Sequence, residues 1–167
     1  MSCLGVYFAL TDEDADKLRA LGTDDTRLEF VTDDIEPRYW EDGKAYVAEN
    51  DKAWDAMHRT LADGELTWDG GTYPLNHTVL GGERLYTGDD YILILKTPPQ
   101  VRDIAAALDA LTEQDFRRRY DAIDEDSYDG DKNDEDFAYT WEWFQNVRTL
   151  YRKAAQEGRH MLFTADQ

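Results

Sequence analysis

An α+β fold is predicted: a small mixed or mainly antiparallel sheet packed by four to five helices within a single domain. Three observations lead there. β-rich apolar runs stand near both ends of the chain, at 3–10 and 160–164, and in its middle at 91–95, so the termini are expected to pair within one sheet. Helical patterns succeed one another without an intervening strand over 98–123 and 134–157, which a regularly alternating α/β chain does not do. No internal repeat or linker divides the 167 residues, a length suited to one domain with a sizeable core.

The opening run CLGVYFAL reads as a buried strand. Thr11 followed by Asp12, Glu13 and Asp14 is a helix start, because acidic groups favour the positive end of the helix dipole. Ala15, Leu18 and Leu21 supply that helix's apolar stripe, and Gly22 ends it. Residues 23–50 are less decided. RLEFVTDDI suits a strand or a helix, Pro37 is expected to end either, and Asp42-Gly43 reads as a turn before a short strand at 44–48. Its density of acid makes this segment the expected partner-facing insert.

From residue 50 to 82 the pattern sharpens. Trp54, Met57, His58 and Leu61 fall at i, i+3, i+4 and i+7, one stripe of a helix. Asn50 or Asp51 is expected to cap it, and Gly64 follows its end. Gly70-Gly71 is a turn, Tyr73-Pro74 holds off helix until Leu75, and LNHTVL makes a short helical turn that stops at Gly81-Gly82. A loop over 83–90 leads into the strand YILIL. Thr97, Pro98 and Gln100 form a helix start with a capping box, and Val101, Ile104, Ala105 and Leu108 give its core stripe. Thr112 caps another helix with Phe116, Tyr120 and Ile123 inward.

The acidic loop over 121–136 invites comparison with a calcium loop. Counting from Glu125 puts Ser127, Asp129, Gly130 and Asp136 at positions 3, 5, 6 and 12. A glutamate at position 1, the short Asp136 at 12 and a lysine, Lys132, in an apolar slot all argue for a plain acidic loop. The last helix over 134–157 carries Phe137, Trp141, Phe144, Val147, Tyr151 and Ala154 inward and ends at Gly158.

The charge is strongly one-sided: 18 basic against 37 acidic residues, a net −19. That field repels nucleic-acid phosphate and anionic membranes and attracts cationic partners. Neither direct nucleic-acid binding nor membrane association is expected, and a basic protein partner is. An acid-rich or high-salt proteome would give the same balance with no partner. No apolar run approaches the roughly 20 residues of a membrane span. The start MSCLGVYFAL lacks the basic flank of a signal peptide. The lone Cys3 has no disulfide partner, so a cytoplasmic protein is expected.

Chemistry-bearing patterns are few. Neither serine, Ser2 or Ser127, sits in a nucleophile elbow, and no phosphate or dinucleotide loop is present. The three histidines are spaced 19 and 83 residues apart, unlike a zinc set. No metal and no cofactor are expected. His58, on an apolar stripe, reads first as a core histidine bonded to a backbone carbonyl. If functional, Trp54, His58 and His77 would line one small pocket with Asp51 tuning an imidazole. The candidate partner-facing acids are Asp24, Asp25, Glu29, Asp33, Asp34 and Glu36.

Several of these residues carry a resemblance. Asp51-Lys52-Ala53-Trp54 with His58 and Leu61, then Val79-Leu80-Gly81-Gly82, resemble the YfbM-like family, a bacterial family of unknown function. Leu4-Gly5-Val6-Tyr7-Phe8 is similar to its opening strand, and Leu150-Tyr151-Arg152-Lys153-Ala154-Ala155 with Gly158 to its last helix. The tandem helices over 98–123 agree, whereas residues 24–48 and the Tyr128-Asp129 step depart from the family pattern. The resemblance implies one domain over the whole chain and no activity. Two functions follow from the residues. One is a non-catalytic acidic binding module, of inhibitor or immunity type, for a basic protein partner. The alternative is a small-molecule-binding protein or enzyme using the Trp54/His58/His77 pocket.

Overall fold

A computed structural model describes residues 3–167. Strand β1 (Gly5–Leu10) leads into α1 (Asp12–Ala20), whose N-cap Thr11 accepts from the Asp14 N–H. Helix α2 (Asp24–Phe30), a π-turn (Val31–Ile35) and α3 (Glu36–Asp42) then run on without a break. Strand β2 (Val47–Asp51) and α4 (Trp54–Leu61) follow, and a 3-10 turn (Leu75–His77) precedes the two-residue β3 (Glu83–Arg84). The chain closes with β4 (Tyr91–Lys96), α5 (Pro98–Asp109), α6 (Glu113–Asp121), α7 (Asp134–Glu157) and β5 (His160–Asp166).

The fold is α+β, with one five-stranded sheet in the order β2-β1-β5-β4-β3, antiparallel at every pairing. The terminal strands do pair: β1 and β5 run alongside from Gly5↔Ala165 to Leu10↔His160. Alternating side chains feed two cores. Tyr7, Ala9, Ile94 and Phe163 face the layer of α4 to α7, while Phe8, Leu10, Leu93 and Leu162 face α1 to α3. Strands covered on both faces read as continuous apolar runs, as β1 and β4 do. Gly158 stops α7 in a left-handed conformation, φ 67°, that costs a glycine nothing.

Several local expectations are corrected. Pro37 does not end its helix. The Glu36 N–H bonds back to the Val31 carbonyl, five residues away, so the widened turn sets Pro37 among the first positions of α3, where a missing N–H is tolerated. Val31, Ile35 and Tyr39, four residues apart, then build the second core, so residues 24–42 are a structural layer and not an insert. Neither Asn50 nor Asp51 caps α4; the N-cap is Ala53, and the Asn50 carbonyl instead accepts from the Ala53 N–H at 3.0 Å. Residues 44–46 form a 3-10 turn, and the loop after Gly82 holds β3. Among the described residues no helix is long and apolar enough to cross a membrane.

The 3-10 turn at Leu75–His77 points its following carbonyls into the larger core, where each needs a donor. Tyr7 Oη and Tyr151 Oη both donate to the Thr78 carbonyl, at 2.8 and 2.7 Å, and Lys96 Nζ donates to that of Val79 at 2.5 Å. All three donors are fully buried. Burial pushes Lys96 well below, and both phenols well above, their ordinary pKa values.

Because two phenols share one carbonyl, Tyr7→Phe and Tyr151→Phe are each expected to cost about 1 kcal/mol. The double variant strips the Thr78 carbonyl of both donors and should cost about 3 kcal/mol, more than the sum. Urea unfolding of the four proteins measures the coupling, and additive losses would show that the shared carbonyl is not what links them.

Candidate functional site

A cleft of about 520 Å³ opens between the start of α4, the loop over 122–133 and the first turns of α7. Its lining brings together three aromatic side chains, Trp54, Tyr128 and Tyr139, and three carboxylates, Asp55, Asp129 and Asp136. Trp54 is held by its indole N–H on the Cys3 carbonyl at 2.8 Å and packs on Phe163, ring centroids 6.0 Å apart. Asp136 follows the N-cap Asn133, whose side chain accepts from the Asp136 N–H at 2.8 Å. One oxygen of Asp136 accepts from both Tyr120 (2.6 Å) and Tyr128 (2.9 Å). Burial first, and that bond second, raise the Tyr128 phenol far above its ordinary value, so it stays a neutral donor. The Tyr139 phenol accepts from the Lys52 N–H at 3.2 Å. Its pKa is pushed up to about 12, first by burial and then by its bond to Asp51.

Behind this wall lies Arg59, only 5% exposed. It donates to Asp55 at 2.6 Å and to the hydroxyl and carbonyl of Ser127 at 2.8 and 3.0 Å, with its guanidinium 5.4 Å from the Tyr128 ring centre. Lys132 Nζ donates to the carbonyls of Asp121 (2.6 Å) and Ile123 (3.1 Å). Two protein cations therefore fasten the acidic loop. Among the described residues no group of three His, Cys, Asp or Glu side chains gathers as a metal site.

The predicted pocket residues do not share this cleft. Trp54 lines it and Asp51 bonds to Tyr139 at its edge, but His58 is closed into the core at 1% exposure. Its Nε2 donates to the Thr67 carbonyl at 2.9 Å, which leaves Nδ1 as acceptor for the Leu80 N–H at 3.5 Å. The backbone thus sets the tautomer and occupies both nitrogens. His77 is half-buried, bonded through Nδ1 to Asn76 at 2.8 Å, with its ring edge-on to Tyr73. Burial lowers both imidazoles, His58 to about 4.

The six predicted acids divide. Asp24 accepts from Thr87 N–H (3.0 Å), Thr87 Oγ1 (2.7 Å) and Gly88 N–H (3.1 Å), pinning the turn before β4, and these bonds lower its pKa. Asp34 binds Arg38, which also grips Asp14 through two nitrogens. Glu36 is half-buried and raised by burial and by Asp166. Asp25, Glu29 and Asp33 stand exposed on the helical run. Tyr128, Asp136 and Tyr139 were missed as cleft residues; only their place beside the acidic loop signalled them.

Comparison with known proteins bears on the fold. A family model for a domain of unknown function, DUF1877, matches residues 1–164. In structure the chain is similar to YfbM from Escherichia coli, described as a protein of unknown function. The TM-score is 0.65 at 18% identity, over 97% of this chain and 99% of that one. No curated protein matches the sequence.

His58 makes a testable pH dependence. An unfolded imidazole takes a proton below its ordinary 6.5, while the folded one resists until about 4. The unfolded state therefore binds more protons in that window, and stability falls as pH drops from 6.5 towards 4, by about 3 kcal/mol in full. In His58→Leu the slope over that interval should flatten, whatever the overall loss of stability. Chemical denaturation at half-unit pH steps reads it out, and equal slopes would mean that another group is responsible.

Proposed function

This chain belongs to the DUF1877 family, and since that family carries no assigned activity, we propose a function from the cleft and the charge: a non-catalytic binding module, of inhibitor or immunity type, that engages a basic protein partner and takes one of its cationic side chains into the cleft. The observation that carries this reading is the convergence of Trp54, Tyr128 and Tyr139 with Asp55, Asp129 and Asp136 on one cavity, in a chain of net charge −19. Aromatic faces and carboxylates both attract cations, and more strongly where water is partly excluded. Tyr128 already carries Arg59 over its ring from within. Exposed Asp25, Glu29 and Asp33 on the opposite layer add to the field that steers a basic partner in. Among the described residues Lys52 is the one cation in the lining, and it works against it.

A small organic amine is a second reading, favoured by the cleft's volume of about 520 Å³, which suits a small ligand.

The test starts with capture from lysate of the native organism at low and moderate salt, followed by affinity measurement of the recovered protein. A basic partner should bind Asp129→Lys about tenfold more weakly than the parent and Lys52→Ala more tightly, both effects shrinking as salt rises. Recovery of neutral or acidic proteins alone, or equal affinity for all three forms, would remove the reading.

A further inference from the structure

The two edges of the sheet are treated differently. At one side β3 contributes only Glu83 and Arg84, and the next residue, Leu85, still donates to the Leu93 carbonyl at 2.8 Å. So short an edge offers little for another strand to extend. At the other side β2 runs for five residues and pairs only with β1 among the described residues. The Val47 N–H is already given to the Lys44 carbonyl and the Asn50 carbonyl accepts from the Ala53 N–H, so the template that β2 offers one more strand centres on Glu49.

The space beside that edge is shaped as well as open. A groove of about 370 Å³ lies along β2, lined by Val47, Ala48 and Glu49 of the strand, by Trp40 of α3 and by Thr149, Leu150 and Lys153 of α7. Val47 and Ala48 face opposite sides of the sheet, with Trp40 and α7 beside them, so alternate side chains of an added strand meet a surface on each face. The edge also ends cleanly. Asp51 takes a left-handed conformation, φ 49°, and the next N–H, that of Lys52, is already given to Tyr139.

Charge selects the occupant. Glu49 stands exposed at the centre of β2. A second copy of this chain, added antiparallel about Glu49, would set Glu49 against its own copy and bring together two molecules of net charge −19. A basic residue opposite Glu49 turns the same position into an attractive pair. We propose that the free edge of β2 and its flanking groove receive an extended, basic segment of the protein partner, which adds to the sheet as a sixth strand. This rests on the basic-partner reading above and places a second contact on the β2 side of the molecule.

The full-length protein is tested with the amidated peptide Thr-Lys-Val-Lys-Val-Lys-Thr and with the same peptide N-methylated on alternate backbone nitrogens. The plain peptide should shift the amide resonances of residues 47–51 and slow their hydrogen exchange about tenfold. The N-methylated peptide, stripped of donors along one edge, should bind about tenfold more weakly, and Glu49→Lys should weaken the plain peptide several-fold. The inference is overturned if both peptides bind equally well, if neither binds, or if the shifts fall on the acidic helices or the cleft and leave residues 47–51 unmoved. Those outcomes leave the binding-module reading standing, since it fails only when no basic partner is recovered or when Asp129→Lys binds that partner unchanged.

Discussion

The pairing of β1 with β5 is the constraint on which the rest of the molecule depends. These strands come from opposite ends of the chain and lie at the centre of the sheet, so each contributes side chains to both cores. Tyr7 and Phe163 meet on one face with ring centroids 4.8 Å apart, and Phe8 and Leu162 join the smaller core on the other. Neither layer of helices has a complete floor until both strands are in place. Contacts so distant in sequence must overcome the entropy of closing a long loop before burial rewards them. Burial on both faces of the central strands supplies that reward.

The larger core is not simply apolar. The segment after the 3-10 turn crosses it with its backbone exposed to side chains, and Tyr7, Tyr151, Lys96 and His58 answer its carbonyls and an N–H. These are also among the groups whose pKa values burial displaces most. Perturbed titration is often a mark of chemistry, yet here each perturbed group is engaged by backbone and serves to satisfy it. The cleft around Trp54 has another character. Its carboxylates and phenols lie along a cavity, with Asp129 exposed. Asp55 and Asp136 are already bonded to Arg59 and to two phenols, but they border an open space that the buried cluster lacks, and that separates the structural cluster from the candidate site.

Much of the fold was legible along the chain. Strands β1, β4 and β5, the capping box of α5 and the bounds of α7 are local matters of periodicity and capping, which short stretches encode. The misreading at Pro37 came from applying the α-helical rule to a π-turn, whose wider bonding only neighbouring layers can hold in place. Less of the site could be read. Trp54 lines the cleft while His58 is closed into the core, because helical spacing shows that a residue faces inward and not what it faces; His77 was joined to His58 only through the nearness of their segments along the chain. Asp24 and Asp34 looked free because their partners, Thr87, Gly88 and Arg38, include groups distant in sequence.

By itself the sequence determined the class of fold, the family, most element boundaries and the one-sided charge, since each depends on residue type, spacing or a sum over residues. Tertiary structure decided which carboxylates remain exposed, which histidine nitrogens are occupied, which sheet edge stays open and which aromatic rings meet acid in one cleft. Those are properties of distance and solvent access between segments far apart along the chain, and they exist only once the sheet has brought the two ends together.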